Sequence, residues 1–563
     1  MDKMSLKEKQ KYVEKMKYNN RIAYLLISFN QGLGSISELA VQYYFKDTLH
    51  LEPARLSQIY SFILIPWTIK PLFGMITDLF PIMGYRRKLY IILCGLMCIS
   101  CWLAMSFFVN NLFSAILCLL LINVSVSFST VLGEAVVVEL SQLEKVNSSS
   151  SAKDYVSLFF FCKYCGALIS AYLKGLLVEV LSIRWVFFIA SFLPWLIVSS
   201  GLLLVEIKIK NTEDEYQIAN EANNNTELIK NVEIENNKNS NLPIGNNNNY
   251  SSIKTENDDN INNNNYINNK DNDNKNNNLD NSINEHDNNE DVYNSIFNPS
   301  PPMSPKELLI AFKNFLMQKY VLVPTLFIIL LMATPSYGDP YFYYLTNHLK
   351  FSASLLGKIS FCSTLCTLIA IWLYKTFFKN TNFRLMITIG TIVSFFFSFM
   401  AYLLVKRVNV ELGISDFWFV LLSSSLLSMI GELVMMPMLS LACLLCPKNL
   451  EGTVYALFMS ALNFGGILSG LLGSFITSWL SITSKSYGNL DKLILIANLL
   501  TLCPLPFLLW IDDSYFEPQE EKDKNDNELV ENSANGKLRE IEAGSNNSIK
   551  VDKNQNIVKL SKE

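Results

Sequence analysis

Twelve apolar runs of about 20 residues dominate this chain of 563 residues, six before a long polar interruption and six after it. A helix of that length crosses the ~30 Å hydrocarbon core of a bilayer. The pattern excludes the several mixed soluble domains that such a length would otherwise suggest. The spans are predicted near residues 22–45, 57–79, 89–109, 113–139, 156–179 and 184–206, then 320–345, 353–378, 384–405, 417–445, 453–480 and 492–511. Five regions follow: a lysine-dense leader (1–20), an amino-terminal six-helix half (21–206), a polar insert (207–318), a carboxy-terminal six-helix half (319–511) and a charged tail (512–563). The expected class is an all-α multi-pass membrane protein. The leader is long, Lys-rich and also acidic, which is not the make-up of a signal peptide.

Composition agrees: 50% of residues are apolar, 12% aromatic and 17% charged. The formal net charge of -4 says little about partners, since the excess acid sits mostly in the insert and tails, and nothing indicates nucleic-acid binding. All 11 cysteines fall in apolar segments. The spacings Cys98-x-x-Cys101, Cys162-x-x-Cys165 and Cys443-x-x-Cys446 suit a metal or redox site. With only three histidines and apolar neighbours they read as small hydrophobes in a packed bundle, so no metal or cofactor is expected.

Basic residues in short loops set topology. One face collects Lys15, Lys17, Arg21, Arg86, Arg87, Lys88, Lys145, Lys153, Lys375, Lys379, Arg384 and Lys448, and gains Lys208, Lys210, Lys313 and Lys319 at the insert edges. The other has Lys46, Arg55, Arg184, Lys350, Lys406, Arg407, Lys485 and Lys492. The bias places both termini and the insert in the cytosol. The insert is asparagine-dominated, as in Asn262-Asn263-Asn264-Asn265, and cannot bury enough apolar surface to fold. Such tracts resemble those encoded by AT-rich protist genomes, malaria parasites and social amoebae among them.

The two halves repeat. Tyr43-Tyr44-Phe45-Lys46-Asp47-Thr48-Leu49-His50-Leu51 matches Tyr343-Tyr344-Leu345-Thr346-Asn347-His348-Leu349-Lys350-Phe351 at an offset of 300 residues, and Gly133-Glu134-x-Val136 matches Gly431-Glu432-x-Val434 at 298. Six, an interruption and six, with an internal repeat, is the plan of a two-halved transporter.

Within the second span, Gly74-x-x-x-Asp78 followed by Gly84-x-Arg86-Arg87-Lys88 resembles the loop between the second and third helices of major facilitator transporters. In that plan helices 1, 4, 7 and 10 line a central cavity. Each carries one acid here inside an apolar run: Glu38, Glu134, Asp339 and Glu432. Carboxylates facing lipid are excluded, so these face the cavity or a partner, unless Glu38 and Asp339 lie high enough to sit in interfacial water. Lys70 in helix 2 and Lys163 and Lys174 in helix 5 are the intramembrane cations. Insertion of such a lysine costs roughly 2.5–3.5 kcal/mol, so it needs a partner or a wet cavity. Lys163 and Lys174 share a helix face about 16 Å apart, and Lys174 could equally be neutralised by Glu179.

A longer resemblance is more specific. Pro66-Trp67-x-x-Lys70-Pro71-Leu72-x-Gly74-x-x-x-Asp78 with Pro81-Ile82-x-Gly84-Tyr85-Arg86-Arg87-x-x-Tyr90 is similar to the signature of the folate–biopterin transporters, as is Gln31-Gly32. In the second half, Cys446-Pro447-x-x-x-Glu451-Gly452-x-x-Tyr455-Ala456-Leu457 and Asn463-x-Gly465 resemble the family's entry into helix 11. One departure concerns substrate. Helix 4 of the family usually carries two aspartates and a glutamate in the pattern D-x-x-x-D-A-x-V-V-E, often followed by Ala-Arg. Here the positions read Thr130, Glu134 and Glu139, then Leu140-Ser141.

The resemblance implies a secondary active transporter that imports folates or pterins by proton symport with alternating access, in the plasma membrane or an organellar one. A carrier for another organic anion or a drug-like solute, or a non-transporting membrane scaffold, is the alternative. Paired pterin N–H groups suit Glu134 or Glu38, and the glutamate tail of folate suits Lys163, with Lys70 as a further candidate for anion handling. Glu134 and Glu432 are the coupling candidates. Asp78, Arg86, Arg87, Glu139 and Glu451 are the expected cytosolic latch. No P-loop, HExxH or nucleophile elbow is present, so no enzyme is expected.

Overall fold

The computed structural model describes residues 6–144, 151–206, 208, 310, 313, 316–378, 381–444 and 451–510. Nearly all of the insert and all of the tail lie outside them, as do the side chains of Asp78, Glu139 and Glu451. The described residues are helical almost throughout, in two sets of six spans. The first set is α1 (Leu6–Leu33, continued by Glu38–Tyr43), α2 (Pro53–Ile63 and Lys70–Leu79), α3 (Lys88–Phe107), α4 (Leu112–Glu144), α5 (Ser151–Val180) and α6 (Ile183–Ala190 and Trp195–Leu203). The second is α7 (Lys319–Met332 and Gly338–Tyr343), α8 (Ala353–Leu373), α9 (Phe383–Val405), α10 (Asp416–Leu444), α11 (Glu451–Trp479) and α12 (Leu490–Thr501 and Leu505–Trp510).

Ten of these spans are long and apolar enough to cross a bilayer. The exceptions are α1 and α7, for physical reasons. The amino-terminal part of α1 is polar and runs back to Leu6, so its helix does not stop where the apolar run begins. In α7 the apolar stretch ends at Met332, and Pro335, which has no N–H to donate, falls between its two segments. Large apolar side chains stay exposed along the spans, among them Leu93, Phe113, Trp195, Trp372, Phe396 and Phe475. That is a liability in water and the right surface for lipid.

The internal repeat extends to backbone detail. After α1 a π-turn covers Tyr44–Thr48, and after α7 another covers Tyr344–His348. Each is followed by a residue with positive φ, His50 at 50° and Lys350 at 57°. Leu51 N–H then closes onto Phe45 O at 3.0 Å, and Phe351 N–H onto Leu345 O at 2.9 Å. The chain is thereby turned sharply into α2 and α8.

The described hydrogen bonds between the halves fall at the face carrying the α1–α2, α7–α8 and α11–α12 loops, or at mid-depth. At that face Lys46 Nζ donates to Asn347 Oδ1 (3.0 Å), Ser484 N–H and Oγ donate to Glu52 (2.7 and 2.9 Å), and Ser474 Oγ donates to Ala54 O (2.8 Å). Phe342, Tyr343 and Ala353 of the second half complete an apolar cluster built on Tyr44, Trp102 and Phe187 of the first. Gly175 and Gly357 let α5 and α8 touch: a Cβ on Gly175 would lie 2.6 Å from Gly357 Cα. This face is closed.

The opposite end of the first half is held by Glu206, just beyond α6. Its carboxylate accepts the backbone N–H groups of Arg86, Arg87 and Lys88 at 3.0–3.2 Å. The α2–α3 loop reverses at Met83 and Gly84, both at positive φ (51° and 83°), between the paired residues Ile82 and Tyr85. Positive φ at both central positions belongs to the primed turns, and glycine adopts it without strain. Outside the spans, Lys406 sits 2.7 Å from Asp491, whose hydrogen bond and charge hold its pKa above the ordinary lysine value.

Candidate functional site

The predicted second span is broken. Pro66 and Pro71 each remove a backbone donor, and a 3₁₀ turn at Ile65–Trp67 separates the two helical segments. Lys70 therefore begins a new helix at mid-depth instead of standing on a continuous face. Its side chain is 1% exposed, and Nζ lies 3.0 Å from Glu134 Oε1. It also stands 5.2 Å from the ring of Trp67, whose indole N–H donates to Asn123 Oδ1 at 2.9 Å. The buried lysine and the part-buried acid answer each other. Burying either alone would leave an uncompensated charge.

Glu134 has one oxygen left. Oε2 is buried and makes no hydrogen bond. Lys163, on α5, lies within coulombic range of Glu134, Glu432 and Lys70. Among the described residues it holds no ion pair, and its Nζ stands 5.7 Å from the rings of Phe160 and Tyr164. The neighbouring Tyr164 crosses to the other half and donates to Glu432 Oε1 at 2.8 Å. Two lysines and two glutamates from α2, α4, α5 and α10 thus form one mid-depth cluster with equal numbers of basic and acidic side chains. Gln31-Gly32 explains how α1 joins it. A Cβ on Gly32 would fall 1.9 Å from Lys163 O, so only glycine lets the helices cross there, and Gln31 Oε1 is left as a buried acceptor without a partner.

The other predicted residues sit elsewhere. Glu38 is exposed and pairs with Lys174 at 3.3 Å. Glu179, the alternative partner of Lys174, instead accepts the N–H of Ser354 at 2.9 Å, tying α5 to the start of α8. Asp339 Oδ2 accepts from Ser57 Oγ at 2.6 Å, again across the halves. Glu38 and Asp339 thus belong to the closed face rather than to the charged cluster. Of the latch residues, Arg86 and Arg87 are placed by Glu206 through their backbones. The side chains of Asp78, Glu139 and Glu451 lie outside the described residues.

Sequence reasoning passed over Tyr164, Asn123 and Glu206. Each had a signal: a hydroxyl beside an intramembrane lysine, an amide inside an apolar run, and an acid at the end of a span next to a basic loop. None revealed its partner.

Comparison with known proteins agrees with this architecture. The family model described as the BT1 family matches residues 31–531. A folate-biopterin transporter of Synechocystis is 30% identical over 506 residues, covering 90% of this chain and 84% of that protein. Folate transporter 1 of Plasmodium falciparum is 31% identical over 507 residues, covering 90% and 81%. Among solved structures, the nucleoside transporter NupG aligns with a TM-score of 0.57 at 12% identity, covering 88% of this chain and all of that one. A D-xylose-proton symporter aligns at 0.52 and 10% identity, covering 88% and 97%. These last two establish the major facilitator fold alone. On its sequence, the chain belongs to the BT1 family of folate–biopterin transporters, and is a membrane transporter rather than an enzyme.

Proposed function

We propose that the protein imports folates or pterins by proton symport, the two halves giving alternating access to the mid-depth cluster. The observation that carries this reading is Lys163, which holds no ion pair among the described residues and lies beside a glutamate with an open oxygen. Lys163 binds the carboxylates of the substrate, and Glu134 Oε2 accepts a single N–H of the segment next to them. Glu134 Oε1 stays with Lys70, which fixes the carboxylate in place. The names of the relatives from Synechocystis and Plasmodium falciparum favour the same substrate class.

Glu432 carries the proton. While ionised it competes with an anionic substrate for Lys163; once protonated it does not. Proton and substrate then enter together and leave together. The closed face is the external one, and its inter-half bonds at Lys46, Glu52, Glu179 and Asp339 break when the cavity opens outward. Asp78, Arg86, Arg87, Glu139 and Glu451 form the latch of the opposite, cytosolic side. Both termini and the insert between the halves are cytosolic, and the protein resides in the plasma membrane.

Uptake of labelled folic acid and 5-methyltetrahydrofolate into cells expressing the protein at the surface should be saturable and rise with an inward proton gradient. No saturable uptake of any pterin compound overturns the reading. A carrier for another organic anion would use Lys163 in the same way, and there an unrelated dicarboxylate competes while unconjugated pterin does not. An epitope in the insert that antibody reaches on intact cells reverses the orientation.

A further inference from the structure

The carboxy-terminal half holds a half-open cavity of about 430 Å³ between α7, α9, α10, α11 and α12. We propose that it is a separate subsite, which takes the uncharged heterocyclic end of the substrate while the charged cluster takes the anionic end. The inference rests on the proposed function and deepens it.

The lining chooses the ligand. Ser336, Tyr337, Ser398, Ser424, Ser428 and Asn498 present hydroxyls and an amide, and no charged side chain is among the described residues that line the cavity. An ionised carboxylate would be buried there without a counter-charge, which is prohibitive. A neutral ring bearing hydrogen-bond donors and acceptors is not penalised. Asn498 is 1% exposed and its Nδ2 has no partner, so the amide calls for an acceptor. Tyr341 and Phe397 add aromatic walls for a flat ring. The volume falls in the ~300–1,000 Å³ range of small-molecule pockets.

The break in α7 makes the room. Ser336 N–H donates to Ser469 O at 3.0 Å and Ser469 Oγ donates to Thr334 O, so the unwound stretch is pinned to α11. The cavity also adjoins the cluster. Ser428 precedes Glu432 by four residues, one turn or about 6 Å along the same face of α10. Between them Gly431 borders open space, with nothing within 4 Å of where a Cβ would be. Gly466, three residues from the lining Ser469, borders open space as well. A molecule with a ring at one end and carboxylates at the other spans both compartments.

The test uses three probes on the full-length protein: folic acid, an unconjugated neutral pteridine, and p-aminobenzoylglutamate, which keeps the acid end alone. Asn498→Leu and Ser424→Leu, at matched surface levels, should raise the KM for folic acid and for the pteridine about tenfold, or 1.4 kcal/mol. Inhibition by p-aminobenzoylglutamate should not change. Lys163→Gln should do the reverse, weakening folic acid and p-aminobenzoylglutamate and sparing the pteridine. If Asn498→Leu does not reach the surface, Ser424→Leu decides. Saturable folate uptake that both cavity variants leave unchanged, or shifts equal for all three probes, overturns the subsite while leaving the transport reading intact. No uptake of any probe by the unmodified protein overturns the transport reading, and the subsite with it.

Discussion

The two halves carry the same dipeptide at the same place in their fourth helices, and use it in opposite ways. In the amino-terminal half Gly133 is packed, with Ile27 Cγ2 3.2 Å from where a Cβ would stand. Glu134 beside it is neutralised within its own half by Lys70. In the carboxy-terminal half Gly431 borders open space, and Glu432 reaches across to Tyr164. The interiors differ likewise. Where α1, α3, α4 and α6 fill their core with Ile36, Trp102, Met105 and Phe187, the equivalent helices leave a polar cavity. Ser336 stands 300 residues from the buried Ile36, so the repeat exchanges an apolar filler for a hydroxyl. Duplication preserved the scaffold and let one half become a fixed, charged wall and the other a roomier one.

The largest test of that contrast is Lys70→Ala. It leaves the part-buried Glu134 without its ion-pair partner, which costs up to about 3 kcal/mol, so much of the folded protein should be lost from the membrane. Thermal unfolding of the solubilised variant checks this, and Lys70→Met combined with Glu134→Gln should recover much of the loss. The equivalent change on the other side, Glu432→Gln, should leave protein levels unaffected because, among the described residues, no buried cation lies within ion-pair distance of it. It should abolish accumulation driven by a proton gradient while exchange of internal for external substrate continues. Proton-driven accumulation that survives removes Glu432 from the coupling role.

A smaller effect is expected from Tyr164→Phe, which deletes the cross-half bond to a carboxylate, worth about 1.5–3 kcal/mol. Its loss should shift the population toward an outward-open state, read as faster labelling of a cysteine placed at Ser57 on the closed face. Unchanged labelling shows that the bond does not hold the halves. The smallest effect separates the two glycines. Gly431→Ala should gain about 0.5–1 kcal/mol of helix stability in an unfolding measurement. Gly133→Ala should gain less or lose, because its methyl meets Ile27. Equal shifts would contradict the packing difference.

Much of this architecture was legible in the chain. Apolar runs fixed the number of spans, since burial in lipid demands a length that composition displays directly. The repeat at an offset of 300 residues anticipated matching turns, and those turns share a π-turn and a positive φ at His50 and Lys350. The motif around Lys70 was evident as a family mark, and the lysine as a residue in need of a partner. The partner itself was not legible. Lys70 and Glu134 are 64 residues apart, Tyr164 and Glu432 are 268 apart, and no local pattern selects one acid among four.

The sequence by itself thus determined class, span count, internal symmetry and an inventory of intramembrane charge. These depend on hydrophobicity and length, which are properties of segments. The tertiary structure alone decided which charges meet and which remain open. It removed Glu38 and Asp339 to the closed face, gave Lys174 to Glu38 rather than Glu179, and left Lys163 without an ion pair among the described residues. Pairing depends on helix crossings a few ångströms wide, set where Gly32 meets Lys163 and where Pro66 and Pro71 break α2. A difference of one helical turn in those crossings reassigns every partner.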